Sequence, residues 1–353
     1  MKYKFEWITE WDEIWSDAFV SQWSEWMEKS ENSHVFFHPN MVKAWVDTYM
    51  PIRDIKPIFC IASTEDINIF IPLVIWKKNW KNAFMNVIVP VGYSNFDYHT
   101  PIIVGNSDEF EWSLFWSSLN HEINREWNGL YDRIEIDGIP ENYISESNHW
   151  YLVDESPLIE LSNFESYEEL IGVLKSKVRG DINRQLRRLK ELGNFKYRVF
   201  TSDEVEDALS VLPAMLHHHS IRWPNAYKAQ NYHANLIKKA LPAGLMHFSQ
   251  ISIDDQPMCW NLSFTYQNTY YFYMPTYVEE YRKYSPGKVN MFLSMENMFE
   301  LGYQKFDLLR GAEEYKNKLP TVTTFIYDLY NTNDGLSSKI KHKMYEFKKR
   351  IQS

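Results

Sequence analysis

The sequence contains little cysteine, no long apolar run and no excess of positive charge. Its two cysteines, Cys60 and Cys259, lie far apart among 353 residues, which argues against a disulfide framework or a cysteine-based metal motif. No segment approaches the roughly 18 consecutive apolar residues of a membrane span. Acidic residues interrupt the N-terminal segment before a signal-peptide core can form. These absences predict a cytoplasmic, soluble protein with no transmembrane segment.

Basic residues are outnumbered by acidic ones. The chain has 37 Lys and Arg against 47 Asp and Glu, which gives a formal net charge of −10. A protein that follows a nucleic-acid backbone over its whole surface needs the opposite balance. We therefore expect no DNA partner.

Aromatic residues, in contrast, are abundant. They make up 16% of the sequence, with 14 Trp, 23 Tyr and 21 Phe. Large hydrophobic cores absorb many such side chains. Aromatic rings also stack on carbohydrate faces and on acyl or adenine groups, so composition leaves both uses open.

The order of predicted elements repeats between the two halves of the chain, whose length favours two domains. Each half has helices, a β-hairpin, a further helix and a closing strand. One hairpin is predicted in each half, from strands 56–63 and 67–76 and from strands 245–253 and 258–266. The closing strands are predicted at 131–136 and 303–308. Further strands are predicted at 195–200, 269–277 and 322–331. Helices are predicted at 11–29, 39–49, 108–126, 167–192, 203–221, 228–241, 289–301 and, as a solvated basic helix, 336–350. The fold class is therefore α/β with mixed α+β sheets, in two related domains at 1–155 and 156–353, joined by a polar linker at 141–155.

The segment Ser285-Pro286-Gly287-Lys288 precedes the helix predicted at 289–301. That helix has apolar residues at 289, 292, 293 and 301 on one side, and it is expected to end at Gly302 in a left-handed C-cap. Ser285 can cap the helix, Pro286 suits its first turn and Gly287 lets a ligand approach the backbone. A helix N-terminus with unpaired N–H groups beside Lys288 favours an anion. This pattern predicts a binding site for a phosphate-bearing donor.

Polar residues follow the closing strand of the second half in quick succession. They are Asp307, Arg310, Glu313, Tyr315 and Lys316. An anion site beside such an ionisable cluster is typical of a transferase, although Asp307 and Arg310 are equally compatible with a structural ion pair. The first half has no equivalent donor segment: residues 104–108 precede its helix and end in an aspartate that would repel phosphate. Only the second half is expected to bind a donor, and the first to support the acceptor.

Two helices of the second half carry candidate acceptor residues. Arg184 and Arg188 lie one turn apart, and either anion binding or a solvated face paired with Asp181 and Glu191 fits the pattern. His218 and Arg222 share a face of the other helix, where His218 is interpreted as a base or as a positioning group. The three histidines at 217–219 point in different directions and cannot form a metal site alone.

These residues together resemble the C-terminal signature of FemAB-like, CelD-type acetyltransferases of the GNAT superfamily. The resemblance rests on 281–287, Gly302, 306–311, 314–316, the basic run 174–189 and the segment 214–223. It covers residues 160–325 well and the first half more loosely, through 36–49 and 92–103.

The resemblance implies two tandem GNAT-like domains. The first, at 1–155, is degenerate, and the second, at 156–353, takes acetyl-CoA or another acyl-CoA as co-substrate, without a metal. The implied donor site comprises Tyr273, Ser285, Pro286, Gly287, Lys288, Arg310, Tyr315 and Lys316. The implied acceptor site comprises Arg179, Arg184, Arg188, Arg222 and Trp223. Asp307, Glu313 and His218 are the candidate bases or amine-orienting groups.

The implied activity is N-acyl transfer from acyl-CoA to an amino group of a sugar or cell-envelope polysaccharide precursor. One alternative is an aminoacyl-tRNA-dependent FemAB-type transferase of peptidoglycan bridges, against which the acidic charge and the lack of a coiled-coil arm count. Another is a non-catalytic envelope-assembly binding protein. The usual pyrophosphate-binding pattern survives only in eroded form at 282–288, so the donor stays open. The sequence does not name the acyl group, the acceptor or the oligomeric state.

Overall fold

The computed structural model describes residues 3–105, 110–145, 149–226 and 229–352. The chain divides into two compact units: unit 1 comprises residues 1–154 and 325–353, and unit 2 comprises residues 155–324. The predicted segments 104–108, 141–155 and 228–241 include residues outside the described ranges. The acidic turn before the first-half helix is one of these, since residues 106–109 are not described.

Unit 1 begins with a strand and a group of helices, which a group of short strands follows. In chain order they are β1 (Lys4–Ile8), α1 (Trp11–Ile14), α2 (Asp17–Lys29), α3 (Pro39–Tyr49), β2 (Ile55–Pro57), β3 (Phe59–Ser63), β4 (Ile67–Ile71), β5 (Leu73–Lys77), β6 (Asn86–Pro90), β7 (Ile102–Gly105), α4 (Trp112–Glu126) and β8 (Arg133–Pro140). The strand β9 (Trp150–Glu160) then leads into unit 2.

Unit 2 follows the predicted order closely. Its elements are α5 (Tyr167–Val173), α6 (Ser176–Lys190), β10 (Phe195–Phe200), α7 (Val205–Arg222), α8 (Tyr232–Ala240), β11 (Met246–Ile253), β12 (Gln256–Tyr266), β13 (Thr269–Tyr277), α9 (Pro286–Glu300) and β14 (Lys305–Asp307). The strand β15 (Val322–Thr332) returns to unit 1, which ends with α10 (Leu336–Gln352). None of the helices within the described residues is both long and apolar enough to cross a membrane.

Two runs of paired strands organise unit 1. One is antiparallel in the order β1-β3-β4-β7, and the other is ordered β15-β8-β6-β5-β2 with β6 and β8 parallel. In the second run β15 pairs antiparallel with β8, so that Leu329 stands opposite Ile136. This pairing explains why residues 325–353 lie in unit 1, whereas the sequence assigned them to the second domain.

The predicted hairpin of the first half forms, but its second strand is divided. β3 pairs with β4 as expected, with Ile61 opposite Phe70. The chain then changes partners at Pro72, and β5 pairs with β2 and β6. Because proline has no N–H to donate to a ladder, it marks the point where one strand becomes two.

Two predicted helices, 11–29 and 167–192, are each broken where a residue adopts extended backbone. Ser16, with φ −64° and ψ 144°, separates α1 from α2 and caps α2 by accepting the N–H of Phe19 at 3.3 Å. Leu174, with ψ 147°, separates α5 from α6. α3 begins at Pro39 as predicted.

Unit 2 is built on strands in the order β10-β11-β12-β13-β14-β9. The predicted hairpin of β11 and β12 turns at Asp254 and Asp255, whose φ angles are 48° and 63°. Two consecutive left-handed residues are typical of a type I′ turn, which matches the twist of the flanking strands. β13 and β14 pair in parallel, and α9 crosses between them.

Many of the aromatic residues pack in the cores. In unit 1, Trp23 lies 5.8 Å from Phe59 and 5.0 Å from Phe70 between ring centroids. In unit 2, Phe306 stacks on Tyr270 at 4.6 Å. This core also buries one face of α9 against β13 and so fixes the two elements that carry most of the predicted donor residues.

The side of α9 that is buried in the core differs in part from the apolar side predicted from the sequence. Val289 and Phe292 are buried as expected, together with Met295. Leu301, which the sequence placed on the apolar face, is 62% exposed. Gly302 follows the helix with φ +77°, which confirms the predicted left-handed C-cap.

Candidate active site

A cleft of about 1020 Å³ opens in unit 2. It lies between α6, the end of α7, the second half of β13, the start of α9 and the segment 313–319. Six basic side chains line it (Lys175, Lys177, Arg184, Arg222, Lys288 and Lys318), together with three acidic ones (Asp181, Glu313 and Glu314). Because the whole chain carries a net charge of −10, the cleft is a local concentration of positive charge. Such a surface attracts an anionic ligand.

The N-terminus of α9 contributes Gly287 and Lys288 to this cleft. Pro286 occupies the first turn as predicted, but the predicted cap is wrong: Ser285 has φ 51° and ψ 48°, and its side chain makes no capping hydrogen bond. The left-handed backbone is strained for serine, a feature that clusters at functional sites. Helix geometry gives the N–H groups of Gly287 and Lys288 no acceptor within the helix.

Gly287 faces the end of β13 closely. A Cβ atom on Gly287 would lie 3.4 Å from Cδ1 of Tyr277, which is ordinary van der Waals contact. The guanidinium of Arg222 lies 4.9 Å from the centroid of the same Tyr277 ring. Gly287, Tyr277 and Arg222 therefore form one continuous wall of the cleft, and a branched side chain at 287 would project into it.

Asp181 holds two of the basic side chains in place. Its Oδ2 accepts from Nζ of Lys288 at 2.6 Å, and its Oδ1 accepts from Nη2 of Arg184. The hydrogen bond from Lys288 is the main cause that lowers the pKa of Asp181 below its usual 3.8. The carboxylate thus remains ionised at neutral pH and ties α6 to the start of α9.

β13 leaves its neighbour where it enters the cleft. Its parallel pairing with β14 ends at Tyr271 opposite Asp307, although β13 continues to Tyr277. Phe272 and Tyr273 together stand opposite the single residue Ser263 of β12, which makes a β-bulge. The N–H of Tyr273 donates to Oγ of Ser263 at 3.4 Å. β-Bulges often re-aim side chains beside active sites, and here Phe272 and Tyr273 both line the cleft.

The segment after β14 folds around a buried ammonium group. Lys316 is 2% exposed, and its Nζ donates to the carbonyls of Leu309 and Arg310 at 3.1 Å and of Gly311 at 3.0 Å. The same Nζ lies 2.8 Å from Oε2 of Glu313. Lys316 therefore organises this loop and orients Glu313, whereas the sequence assigned it to donor binding.

Asp307 also supports this loop. It is buried, does not line the cleft, and its Oδ1 accepts the N–H of Leu309 at 2.7 Å. Leu309 has φ 57°, so this hydrogen bond stabilises a strained left-handed residue. Asp307 thus stabilises the loop from outside the cleft, and of the two predicted carboxylates Glu313 alone faces the cleft.

Replacing Lys316 with methionine should lower the free energy of unfolding by about 3 kcal/mol, because three carbonyls and a carboxylate lose their donor. The matched control is Lys318→Met, since Lys318 pairs with Glu314 on the surface, where the two side chains are 51% and 87% exposed. The control should change stability little. Denaturant unfolding of both variants checks this, and equal effects would contradict the organising role of Lys316.

The consecutive histidines separate on α7. His219 lines the cleft, and burial lowers its pKa to about 4, so that its imidazole is neutral at pH 7. His218, the predicted candidate base, does not line the cleft and stacks on Trp260 with ring centroids 6.0 Å apart. The sequence spacing showed that neighbouring histidines diverge, but only the packing of α7 shows which one faces the cleft.

The remaining predicted residues fall into two groups. Those that line the cleft are Tyr273, Gly287, Lys288, Tyr315, Arg184, Arg222 and Trp223, together with Glu313. Those that do not are Ser285, Pro286, Arg310, Lys316, Arg179, Arg188, Asp307 and His218. Two of these brace the backbone: Arg179 donates to the carbonyl of Gly172 at 2.6 Å, and Arg188 to that of Lys283 at 3.3 Å. The sequence analysis left Asp181, His219 and Tyr277 out of the site.

Residues 176–317 match the family model described as Acetyltransferase (GNAT) domain. Among solved structures, FemX is similar with a TM-score of 0.62 and 9% identity over 91% of this chain and 98% of that chain. L-PGS from Bacillus licheniformis gives a TM-score of 0.52 and 12% identity over 94% and 96%. A tandem GNAT protein from the clavulanic acid biosynthesis pathway gives 0.50 and 8% over 94% and 99%. No curated protein sequence matches.

At these identities the solved structures establish a shared fold. Together with the family match, they confirm two tandem GNAT-like domains in a mixed α/β fold. The match of residues 176–317 to the GNAT acetyltransferase model confirms the predicted resemblance of the second half to that superfamily, and FemX shares the fold of the chain.

Proposed function

We propose that this FemAB-like GNAT protein binds an acyl-CoA in the cleft of unit 2 and transfers its acyl group, in the first instance acetyl, to an amino group of a sugar or cell-envelope polysaccharide precursor. The observation that carries the proposal is the basic cleft at the start of α9. It combines Lys288, the N–H groups of a helix N-terminus and a glycine in an otherwise acidic protein. A diphosphate is the ligand that this combination favours.

The donor would lie along the wall formed by Gly287, Tyr277 and Arg222. Lys288, held by Asp181, would face its diphosphate, and Arg184 would lie beside it on α6. The acyl-bearing arm would follow β13 beyond Tyr271, where the strand has left β14. An extended ligand can use backbone groups of such a strand edge for hydrogen bonding.

Transfer requires the acceptor nitrogen to attack the thioester carbonyl. The C–N bond forms, the C–S bond breaks, the nitrogen loses a proton, and the sulfur leaves as a thiol. Glu313 is the proposed base or amine-orienting group, since it lines the cleft and Lys316 fixes it. Burial and the neighbouring Glu313 raise the pKa of Tyr315, so its phenol stays protonated and can donate a hydrogen bond to the departing sulfur, which takes its proton from solvent.

The acceptor would occupy the end of the cleft near Trp223. This indole is 53% exposed and lines the cleft, so it offers an apolar face for a sugar ring. Arg222 and Lys177 supply charges for an acceptor that carries phosphate or carboxylate. A FemAB-type transfer from aminoacyl-tRNA is the alternative, and it would use the same carbonyl chemistry with an ester donor.

Substituting Gly287 with valine should weaken acetyl-CoA binding at least about tenfold, an affinity loss of ~1.4 kcal/mol. The branched side chain would enter the space between the start of α9 and Tyr277. Gly287→Ala is the matched control, because a Cβ atom makes only an ordinary contact 3.4 Å from Tyr277. Isothermal calorimetry measures both affinities, and the melting temperatures check that both variants fold.

Unaltered binding by Gly287→Val would remove the start of α9 from the donor site.

If the wild-type protein binds an aminoacyl-tRNA and not acetyl-CoA, the alternative donor is correct. The proposal also assigns no donor site to unit 1, so the same titration should show a single site. Release of CoA with a panel of amino-sugar nucleotides then tests the acceptor class.

A further inference from the structure

The helix α10 carries an apolar stripe that faces outward. Leu336, Ile340, Met344 and Phe347 are 77%, 51%, 49% and 66% exposed. Their spacing of four, four and three residues places them on one side of the helix. Large exposed apolar surfaces of this kind mark interaction sites.

The polar side of α10 is the one that contacts the rest of unit 1. Oγ of Ser338 donates to Oδ1 of Asp132 at 2.8 Å, and Nζ of Lys341 donates to Oδ2 at 2.8 Å. The guanidinium of Arg133 lies 5.1 Å from the centroid of the Tyr345 ring. Surface helices ordinarily bury their apolar stripe and expose their polar side. α10 instead buries its polar side and exposes its apolar stripe, which indicates that the stripe binds an external partner.

Lysines border the stripe on both sides. At the helical repeat, Lys339 and Lys343 follow one edge, where Lys339 also pairs with Asp334 at 3.0 Å, and Lys348 lies along the other. An apolar stripe flanked by lysines is the pattern of a helix that lies in the interface of a membrane. The chain as a whole has a net charge of −10, so the positive charge is concentrated here against the general trend.

We propose that α10 binds the surface of a membrane rich in anionic lipids, with its four apolar side chains inserted below the headgroups. A second copy of the chain is a poorer occupant, because stacking two identical stripes would bring the flanking lysines of both copies together. A nucleic acid would use the lysines and leave the apolar stripe exposed. This membrane contact goes beyond the proposed acyl transfer and does not depend on it.

Flotation of the whole protein with phosphatidylglycerol vesicles and with phosphatidylcholine vesicles tests the proposal. We expect binding to the first and at least about tenfold weaker binding to the second, since each lysine near an anionic surface contributes roughly fivefold. Phe347→Ser should weaken binding to phosphatidylglycerol at least about tenfold. Lys343→Glu should also weaken it and reduce its sensitivity to salt.

Matched controls separate the stripe from general surface effects. Leu130→Ser removes an apolar side chain of 55% exposure elsewhere on unit 1, and Lys29→Glu reverses an exposed charge on α2. Both should bind vesicles as the wild type does. Absence of binding, or equal binding to both vesicle types, would overturn the proposal. Self-association that Phe347→Ser abolishes, without vesicle binding, would assign the stripe to a second copy.

Discussion

Glu313→Gln should lower the turnover number for acyl transfer by about 100-fold or more, with acetyl-CoA affinity close to that of the wild type. Glu313 lines the cleft, and its Oε2 lies 2.8 Å from Nζ of Lys316. An acceptor amine must lose a proton during transfer, and general base catalysis contributes about 10²–10⁴-fold. Its low end corresponds to ~3 kcal/mol in the activation barrier. Glutamine keeps an oxygen for Lys316, so the loop should hold its shape.

The neighbouring carboxylates provide matched controls. Glu314 lines the same cleft but pairs with Lys318, so Glu314→Gln should retain most of the turnover. Asp307→Asn keeps an oxygen that can accept the N–H of Leu309, so it should also retain turnover if Asp307 is structural. Release of CoA measures turnover, and calorimetry measures donor affinity. Full activity in Glu313→Gln would assign proton removal to His219, to solvent or to the substrate.

Local sequence signals predicted much of the fold. The Asp254-Asp255 turn between alternating strands gives the observed hairpin, and Pro39 marks the observed start of α3. Gly302 ends α9 where a left-handed residue was expected. Each of these depends on the preference of one or two residues for a backbone conformation, and no distant contact opposes it.

Features that depend on the pairing of strands far apart in the sequence could not be predicted from such local signals. Residues 67–76 form one apolar run, yet Pro72 divides it between two sets of strands. The strand predicted at 322–331 forms, but which unit it joins is decided by its pairing with β8, almost two hundred residues earlier in the chain. Composition and periodicity contain no information on that choice.

In the candidate site, too, the residues that depend on local structure were predicted and those that depend on distant contacts were not. Gly287 and Lys288 were found from a motif, because a helix N-terminus is encoded locally. Lys316 looks like a ligand-binding residue in sequence, and only its burial among three carbonyls reveals an organising role. Asp181 was seen only as a partner for Arg184, since its contact with Lys288 joins helices more than a hundred residues apart.

Lowering the pH from 7 to 5 should destabilise the protein by at least about 6 kcal/mol, because three histidines are almost fully buried as neutral side chains, and the half-buried His38 and His219, whose pKa values burial lowers to about 4, add to the loss. His34, His233 and His247 are 6%, 8% and 5% exposed. Burial lowers the pKa of His34 from its usual 6.5 to about 3, and those of His233 and His247 to about 4. At pH 5 these side chains take up protons in the unfolded chain and remain neutral in the folded protein.

The sign follows from the number of protons bound in each state. Between pH 6.5 and about 4 the unfolded chain binds more protons than the folded one, so stability falls as the pH falls. Each unit of pH below 6.5 costs ~1.4 kcal/mol per histidine, or about 2 kcal/mol at pH 5. Asp181 does not oppose this trend, because its pKa is lowered from 3.8 and it stays ionised throughout the window.

Unit 2 should lose more stability than unit 1 over this interval. It contains His219, His233 and His247, whereas His34 and His38 lie in unit 1. Denaturant unfolding at pH 7 and at pH 5 measures the decrease in the free energy of unfolding. His247→Gln should reduce this decrease by about 2 kcal/mol, because a glutamine cannot take up a proton in the unfolded chain. His121→Gln replaces an exposed histidine of α4 and should leave the loss unchanged. Equal stability of the wild type at both pH values would show that these imidazoles are not kept neutral by burial.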